Sequence, residues 1–185
     1  ASRHLLTALG VWDAVAPGAQ PVYAIDITDS SLGNAVRPVL LTYDNRTQAA
    51  GDGPATHIVE AEPLRQALLD RVFASPSITV LAPAEIREQH VSPAGVVLSL
   101  PGGQASAAIK ARLLIAADGA RSSVREAAGI KVRRAAPAQV AIVATVHHER
   151  PHQGRAVQHF LPGGPFAMLP LTGNRTCVTW SEEAE

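Results

Sequence analysis

The residues best suited to chemistry stand together in Asp118-Gly119-Ala120-Arg121-Ser122-Ser123-Val124-Arg125, directly after the apolar run Leu113-Leu114-Ile115-Ala116-Ala117. The pattern reads as one mechanical unit: a short, fully buried strand, a tight acidic turn, then the start of a helix. Ser122 or Ser123 suits the capping position, and Ser123 with Glu126 has the spacing of a reciprocal capping box. Gly129 suits the left-handed residue that ends a helix. A helix start presents unpaired N–H groups and the positive end of its dipole, and Arg121 and Arg125 flank this one. The chemistry expected is the binding of phosphate.

Other chemistries find less support. His147, His148, His152 and His159 crowd one stretch, yet Pro151 interrupts any helix that would align His148 with His152. No carboxylate or cysteine shares a zinc-ligand spacing with them, so no metal site is expected. Ser122 and Ser123 lack the Gly-x-Ser-x-Gly elbow of a hydrolase. Cys177, the one cysteine, falls in an alternating strand and reads as a buried, inert thiol. A lone cysteine excludes an internal disulfide and points to a reducing, cytoplasmic setting. The 16 Lys and Arg are matched by 16 Asp and Glu and form no basic run, which argues against a nucleic-acid partner. No charged-then-apolar leader opens the sequence, and the apolar stretch near 140–146 falls far short of the ~20 residues that span a bilayer.

These residues must be positioned by a mixed set of elements. Ser2 suits the cap of a helix bearing Leu5, Leu6 and Leu9 and ending at Gly10, with Val11-Trp12 as an apolar anchor. Val22–Thr28 alternates as a half-buried strand, Pro38–Tyr43 gives another, and Gly51-Asp52-Gly53-Pro54 is a loop. Thr56–Glu60 leads into a helix with Pro63 at its first position and Leu64, Leu68, Leu69 and Val72 as its buried stripe. Ile78–Leu81 reads as a short strand, and Val96–Leu100 and Ser106–Ile109 flank the hairpin signal Pro101-Gly102-Gly103-Gln104. After Lys131-Val132-Arg133-Arg134 come four strands, Val140–His147, Ala156–Phe160, Phe166–Leu171 and Thr176–Trp180, whose Gly and Pro turns indicate an antiparallel sheet. Both ends look cut, and the expected reading is a fragment.

A buried strand, Asp-Gly, then Ser and Arg at fixed offsets resembles the second nucleotide-contacting motif of flavin-dependent aromatic hydroxylases, which share the fold of para-hydroxybenzoate hydroxylase. His57-Ile58-Val59-Glu60 with Leu64 and Leu68-Leu69, and Gln158 to Leu171 with its Gly-Pro-Phe-Ala-x-Leu-Pro-Leu segment, look like the branch that hydroxylates polyprenylated phenols in ubiquinone synthesis. This chain has Ala61-Glu62 where the branch often has Asn-Arg, and it lacks both the Gly-x-Gly-x-x-Gly fingerprint and the later Gly-Asp motif.

The resemblance implies an α+β fold, in which a piece of an α/β FAD domain (1–21 and 60–134) is interleaved with a mixed, mostly antiparallel substrate-domain sheet (22–59 and 135–185). It implies FAD and NAD(P)H as cofactors, with Asp118, Gly119, Arg121, Ser122 and Arg125 at the cofactor. It implies molecular oxygen and a small apolar aromatic substrate, with Phe166, Met168 and Pro170 on the face that meets it. Hydroxyl transfer would then belong to a flavin hydroperoxide, and no side chain is assigned a catalytic role. A lipid-tailed substrate would favour peripheral membrane or multi-enzyme association. A reductase or halogenase on the same fold is a related reading. The reading from a different class is a non-catalytic sheet module that binds an apolar ligand or a protein.

Overall fold

The computed structural model describes residues 2–31, 33–46, 53–100, 107–133 and 138–184. Gly51 and Asp52 of the expected loop, Pro101-Gly102-Gly103-Gln104 and Ser106 of the expected hairpin, and Arg134 ahead of the four last strands lie outside the described residues. In chain order the elements are α1 (Ser2–Ala8), α2 (Trp12–Val15), β1 (Gln20–Val22), β2 (Ala24–Asp29), β3 (Val39–Asp44), β4 (Thr56–Ile58) and α3 (Ala61–Phe73). There follow β5 (Glu88–Ser92), β6 (Gly95–Leu100), β7 (Ala107–Ala111), α4 (Ser123–Ala127), β8 (Gln139–His147), β9 (Arg155–Leu161), β10 (Gly164–Leu171) and β11 (Arg175–Glu183). The chain divides into two compact units, Ala1–Ile78 with Pro137–Glu185, and Thr79–Ala136. This division by compactness groups 1–21 and 60–78 with the sheet strands.

In the first unit β1 pairs with β4, and six strands form a sheet in the order β3-β2-β9-β10-β11-β8. Every neighbouring pair is antiparallel except β2 with β9. The sheet is therefore mixed and mostly antiparallel, as expected, and the class is α+β. Val11, Val15, Val22 and Ala24 form the tightest packing, each at most 2% exposed. The expected anchor Val11-Trp12 is realised as the lead-in to α2, which the sequence pattern had not marked as a helix. α1 ends with Gly10 at positive φ, Gly10 N–H donating to Thr7 O and Val11 N–H to Leu6 O. That is the six-to-one and five-to-two pairing of a glycine-terminated helix.

α3 begins at Ala61, so Pro63 sits third in the helix and not first. The place is tolerated because N–H groups of the first turn have no intrahelical acceptor. Its stripe of Leu64, Leu68, Leu69 and Val72 is half-buried, not buried. Just before the helix, Glu60 meets the guanidinium of Arg175 in two hydrogen bonds of 3.1 and 2.9 Å, tying α3 to the start of β11. Both outer strands, β3 and β8, are exposed almost throughout.

The second unit is a β5-β6-β7 antiparallel meander followed by α4. Among the described residues, Val96 and Leu98 of β6 are its buried apolar side chains. β5 was not expected, because Glu88-Gln89-His90-Val91-Ser92 carries no apolar alternation; its backbone pairing to β6 holds it. Two expected strands are corrected. Leu113–Ala117 joins no sheet, with Leu113 72% and Ile115 77% exposed. Ile78–Leu81 is likewise unpaired and largely exposed. A strand exists only when a neighbour completes its hydrogen bonds, and among the described residues no strand pairs with either run.

Candidate functional site

Two places carry the residues singled out from sequence. The first is the bend of the second unit. Gly119 takes φ +82 and its carbonyl accepts from Ser122 N–H at 3.2 Å, turning the chain into α4. Ser122, buried, is the cap: its hydroxyl oxygen accepts from Arg125 N–H at 3.0 Å. The Ser123–Glu126 capping box is therefore not the one that forms. Gly129 does end the helix as expected, with Gly129 N–H on Glu126 O and Ile130 N–H on Arg125 O.

Asp118 faces the same helix start. Its Oδ2 accepts from Val124 N–H at 3.3 Å and from the Ser123 hydroxyl at 3.5 Å. Hydrogen bonding by the Ser122 hydroxyl, followed by the backbone N–H groups of this turn, holds the carboxyl below the usual carboxylate range. Arg125 folds back, its Nη2 donating to Ala120 O at 3.0 Å, while its Nε is buried without a partner among the described residues. Arg121 is exposed.

The expectation of unpaired N–H groups awaiting an anion is thus corrected. Val124 and Arg125 N–H are already engaged by Asp118 and Ser122, and α4 is only five residues long. The bend is nonetheless at the surface. A groove of about 470 Å³ runs in front of it, lined by Ala84, Glu85, Leu114, Ala117, Asp118 and Ser123. Of the five residues expected at a cofactor, Asp118 lines this groove, Gly119 and Arg121 are exposed beside it, and Ser122 and Arg125 hold the turn. For a diphosphate, the residues that fit are those at the open side of the bend: Gly119, where an added Cβ would meet open space, and the cationic side chain of Arg121.

The second place is one face of the six-stranded sheet. Phe166 lies opposite His159 of β9 and Trp180 of β11, and Met168 lies opposite Val157 and Val178. Because side chains two apart share a face, Val157, His159, Phe166, Met168 and Trp180 point the same way. With Thr28 of β2 they line a groove of about 370 Å³, which Arg37 also borders. The Phe166 and Trp180 rings meet edge to face at 5.9 Å and 78°. His159 is 6% exposed and its Nδ1 is hydrogen-bonded to Thr28 Oγ1. Pro170, expected with Phe166 and Met168, is instead fully buried and lines no part of the groove. It is a core residue of β10, opposite the buried Thr176 of β11.

Two members of the histidine cluster are satisfied within the fold. His148 and His152 meet at 5.7 Å beside a groove of about 540 Å³ on the same face. All four of their ring nitrogens are engaged: His148 with Arg150 O and Thr176 Oγ1, His152 with Leu171 O and Gly154 N–H. Among the described residues no group of three or more His, Cys, Asp or Glu could hold a metal ion. Thr28, Arg37, His159 and Trp180 were not singled out as lining residues. The signal that finds His159 and Trp180 is strand parity relative to Phe166, which needs the register of three strands and so is hidden in the sequence.

The sequence pattern of the FAD binding domain family matches residues 2–184. The chain belongs to this FAD-binding family. It is 43% identical over 185 residues to a ubiquinone hydroxylase of Rhodospirillum rubrum, covering 100% of this chain and 41% of that protein. It is 33% identical over 181 residues to the 3-demethoxyubiquinol 3-hydroxylase of Escherichia coli, covering 97% of this chain and 44% of that protein. The chain thus spans less than half the length of these relatives. Among solved structures it resembles a probable FAD-dependent monooxygenase from Pseudomonas aeruginosa, with TM-score 0.78 and 16% identity over 97% of this chain and 48% of the other. At that identity the likeness speaks for the fold, and it agrees with the α+β class of the FAD-binding family. Among the described residues no helix is long and apolar enough to cross a membrane.

Proposed function

We propose that this chain is the central part of an FAD-dependent monooxygenase that hydroxylates an apolar aromatic ring, of the kind used in ubiquinone biosynthesis. In this reading residues 1–21 and 60–134 contribute to the FAD domain, and 22–59 and 135–185 form the sheet that meets the substrate. The observation that carries it is the groove on β9, β10 and β11, whose wall is aromatic and apolar around a few buried polar atoms. Such a wall suits an aromatic guest and excludes water from it.

FAD, when bound, supplies the oxygen-activating chemistry, with NAD(P)H as reductant. The balance is one aromatic C–H, one O2, one NAD(P)H and one proton, giving a phenol, NAD(P)+ and water. The chain's own residues hold parts in place. Asp118 and Ser122 fix the bend, Gly119 and Arg121 face the cofactor from its open side, and Phe166 and Met168 pack against the substrate ring. A polyprenyl tail on that ring would bring the enzyme to a membrane surface or a multi-enzyme assembly from the cytoplasmic side.

The test is the absorbance spectrum and turnover of the intact gene product. The expected result is a flavin spectrum and NAD(P)H oxidation stimulated by an apolar phenol, with one O2 consumed per hydroxylated product. A colourless preparation that takes up no added FAD overturns the proposal and leaves a sheet module that binds an apolar ligand. Sedimentation with anionic liposomes at low salt tests membrane association, and a protein that stays in the supernatant defeats that part.

A further inference from the structure

The aromatic groove holds two polar side-chain atoms that the fold leaves unmet. Among the described residues, His159 Nε2 and Trp180 Nε1 are buried without a hydrogen-bond partner. Buried polar groups in folded proteins are nearly always paired, so each exception calls for an explanation. These two are not scattered. The register puts His159, Phe166 and Trp180 in one row across β9, β10 and β11, all on one face and all lining the same groove. Phe166 lies between the two polar residues, its ring edge to face with Trp180. Two strand spacings of roughly 4.8 Å each separate the backbones of His159 and Trp180, a span suited to a single ring laid over Phe166.

The chemistry of the two atoms narrows the guest. An indole N–H only donates, so Trp180 requires an acceptor. In His159, Nδ1 is already taken by the Thr28 hydroxyl, which leaves Nε2 alone for the guest. Depending on which way the Thr28 hydroxyl points, Nε2 carries the proton or accepts one. A hydroxyl meets either case, because its oxygen accepts and its hydrogen donates. A bare hydrocarbon ring meets neither and would keep both atoms unpaired, which is costly in an apolar wall.

We infer that His159 and Trp180 are the contacts that orient the guest, holding the oxygen substituents of an aromatic ring that lies over Phe166. This deepens the hydroxylase reading and rests on it for the aromatic guest. The pair sets which edge of the ring is anchored, and hence which ring carbon is left free to react. Phe166 and Met168 supply contact area without direction.

The experiment uses the intact gene product with 4-butylphenol and, as the matched probe lacking oxygen, butylbenzene. Binding is followed by the indole N–H resonance of Trp180, assigned by its loss in Trp180→Phe. The expected result is that 4-butylphenol moves this resonance downfield and binds about tenfold more tightly than butylbenzene, the equivalent of one net hydrogen bond. In Trp180→Phe, which keeps an aromatic ring against Phe166, the preference should fall to within about twofold. His159→Gln should also reduce it. Equal affinity for the two probes with an unmoved indole resonance overturns the orienting role while leaving the aromatic groove intact. No binding of either probe overturns the groove as an aromatic site and the orienting role with it. The flavin spectrum reports separately on the monooxygenase reading, so the two failures are distinguishable.

Discussion

The bend around Asp118 and the groove beneath Trp180 solve opposite problems. In the bend the polar groups largely satisfy one another: Asp118, Ser122 and the first N–H groups of α4 form a closed set. Its apolar neighbours are what remain uncovered, with Leu113 and Ile115 more than two-thirds exposed. In the groove the apolar side chains pack into a wall, and it is the polar atoms, His159 Nε2 and Trp180 Nε1, that lack partners among the described residues. Exposed apolar side chains call for packing, which any complementary surface supplies. Buried unmet polar atoms call for a particular acceptor or donor, and so they define a ligand. In the proposed function the bend is the self-braced edge beside the cofactor, and the groove is where the aromatic guest is recognised.

The sharpest way to break this comparison is to shorten one apolar side chain in each unit. Val22, fully buried beside β4, should cost roughly 2 kcal/mol as Val22→Ala. Ile115→Ala should change stability by no more than about 0.5 kcal/mol in the 185-residue chain. Urea denaturation measures both. A cost above about 2 kcal/mol at Ile115 would show that the 113–117 segment is covered in solution, and the contrast between the regions would fail.

Next in size is the cap. Ser122→Ala removes the acceptor for Arg125 N–H and should destabilise the second unit by about 1 kcal/mol. Ser123→Ala should cost clearly less, since its hydroxyl reaches Asp118 only at 3.5 Å. Amide hydrogen exchange at α4 distinguishes the two, and the reverse order would reassign the cap.

Smaller still is the acid response of Asp118. Its carboxyl lies below the ordinary value of 3.8 when folded, chiefly through the Ser122 hydroxyl. The unfolded chain therefore binds the proton more readily, so the stabilisation is whole above about pH 4 and is lost as pH falls below it. Asp118→Asn should flatten this loss in an acid titration followed by hydrogen exchange at Val124. An unchanged acid slope would remove Asp118 from the closed polar set.

The smallest effect belongs to the first unit. His57 packs edge to face against Trp12 at 5.1 Å, and burial first, with the Arg3 charge second, holds its imidazole below 6.5. A base with a lowered folded value resists protonation, so this contact contributes most above pH 6.5 and weakens as pH falls beneath it. Trp12 fluorescence should shift between pH 7 and 5.5 and lose that shift in His57→Phe. A shift that persists in the variant would mean another group is responsible.

Much of the scaffold could be read from local pattern. β9, β10 and β11 alternate and are separated by Gly163-Gly164 and Gly173-Asn174; both residues of the latter take positive φ, as a tight hairpin demands. Gly10 and Gly129 announced two helix ends for the same reason, since only the left-handed region lets the last carbonyls be met. β5 was invisible because a strand held by backbone pairing alone needs no side-chain pattern. Leu113–Ala117 misled in the other direction. An apolar run has the same composition whether or not another strand completes it.

What the sequence determined by itself is therefore whatever depends on neighbours in the chain: turns, caps, alternation, the acidic bend, and enough family pattern to mark an FAD-binding protein. What only the tertiary structure decided is which of two serines caps α4, that Pro170 is core while Phe166 and Met168 line a groove, and that His159 and Trp180 share a row. The last of these turns on strand register: His159, Phe166 and Trp180 fall in one row only because β9, β10 and β11 are aligned as they are, a relation between segments and not between neighbours in the chain. Shifting one strand by a single residue would send its whole set of side chains to the opposite face without altering any local signal.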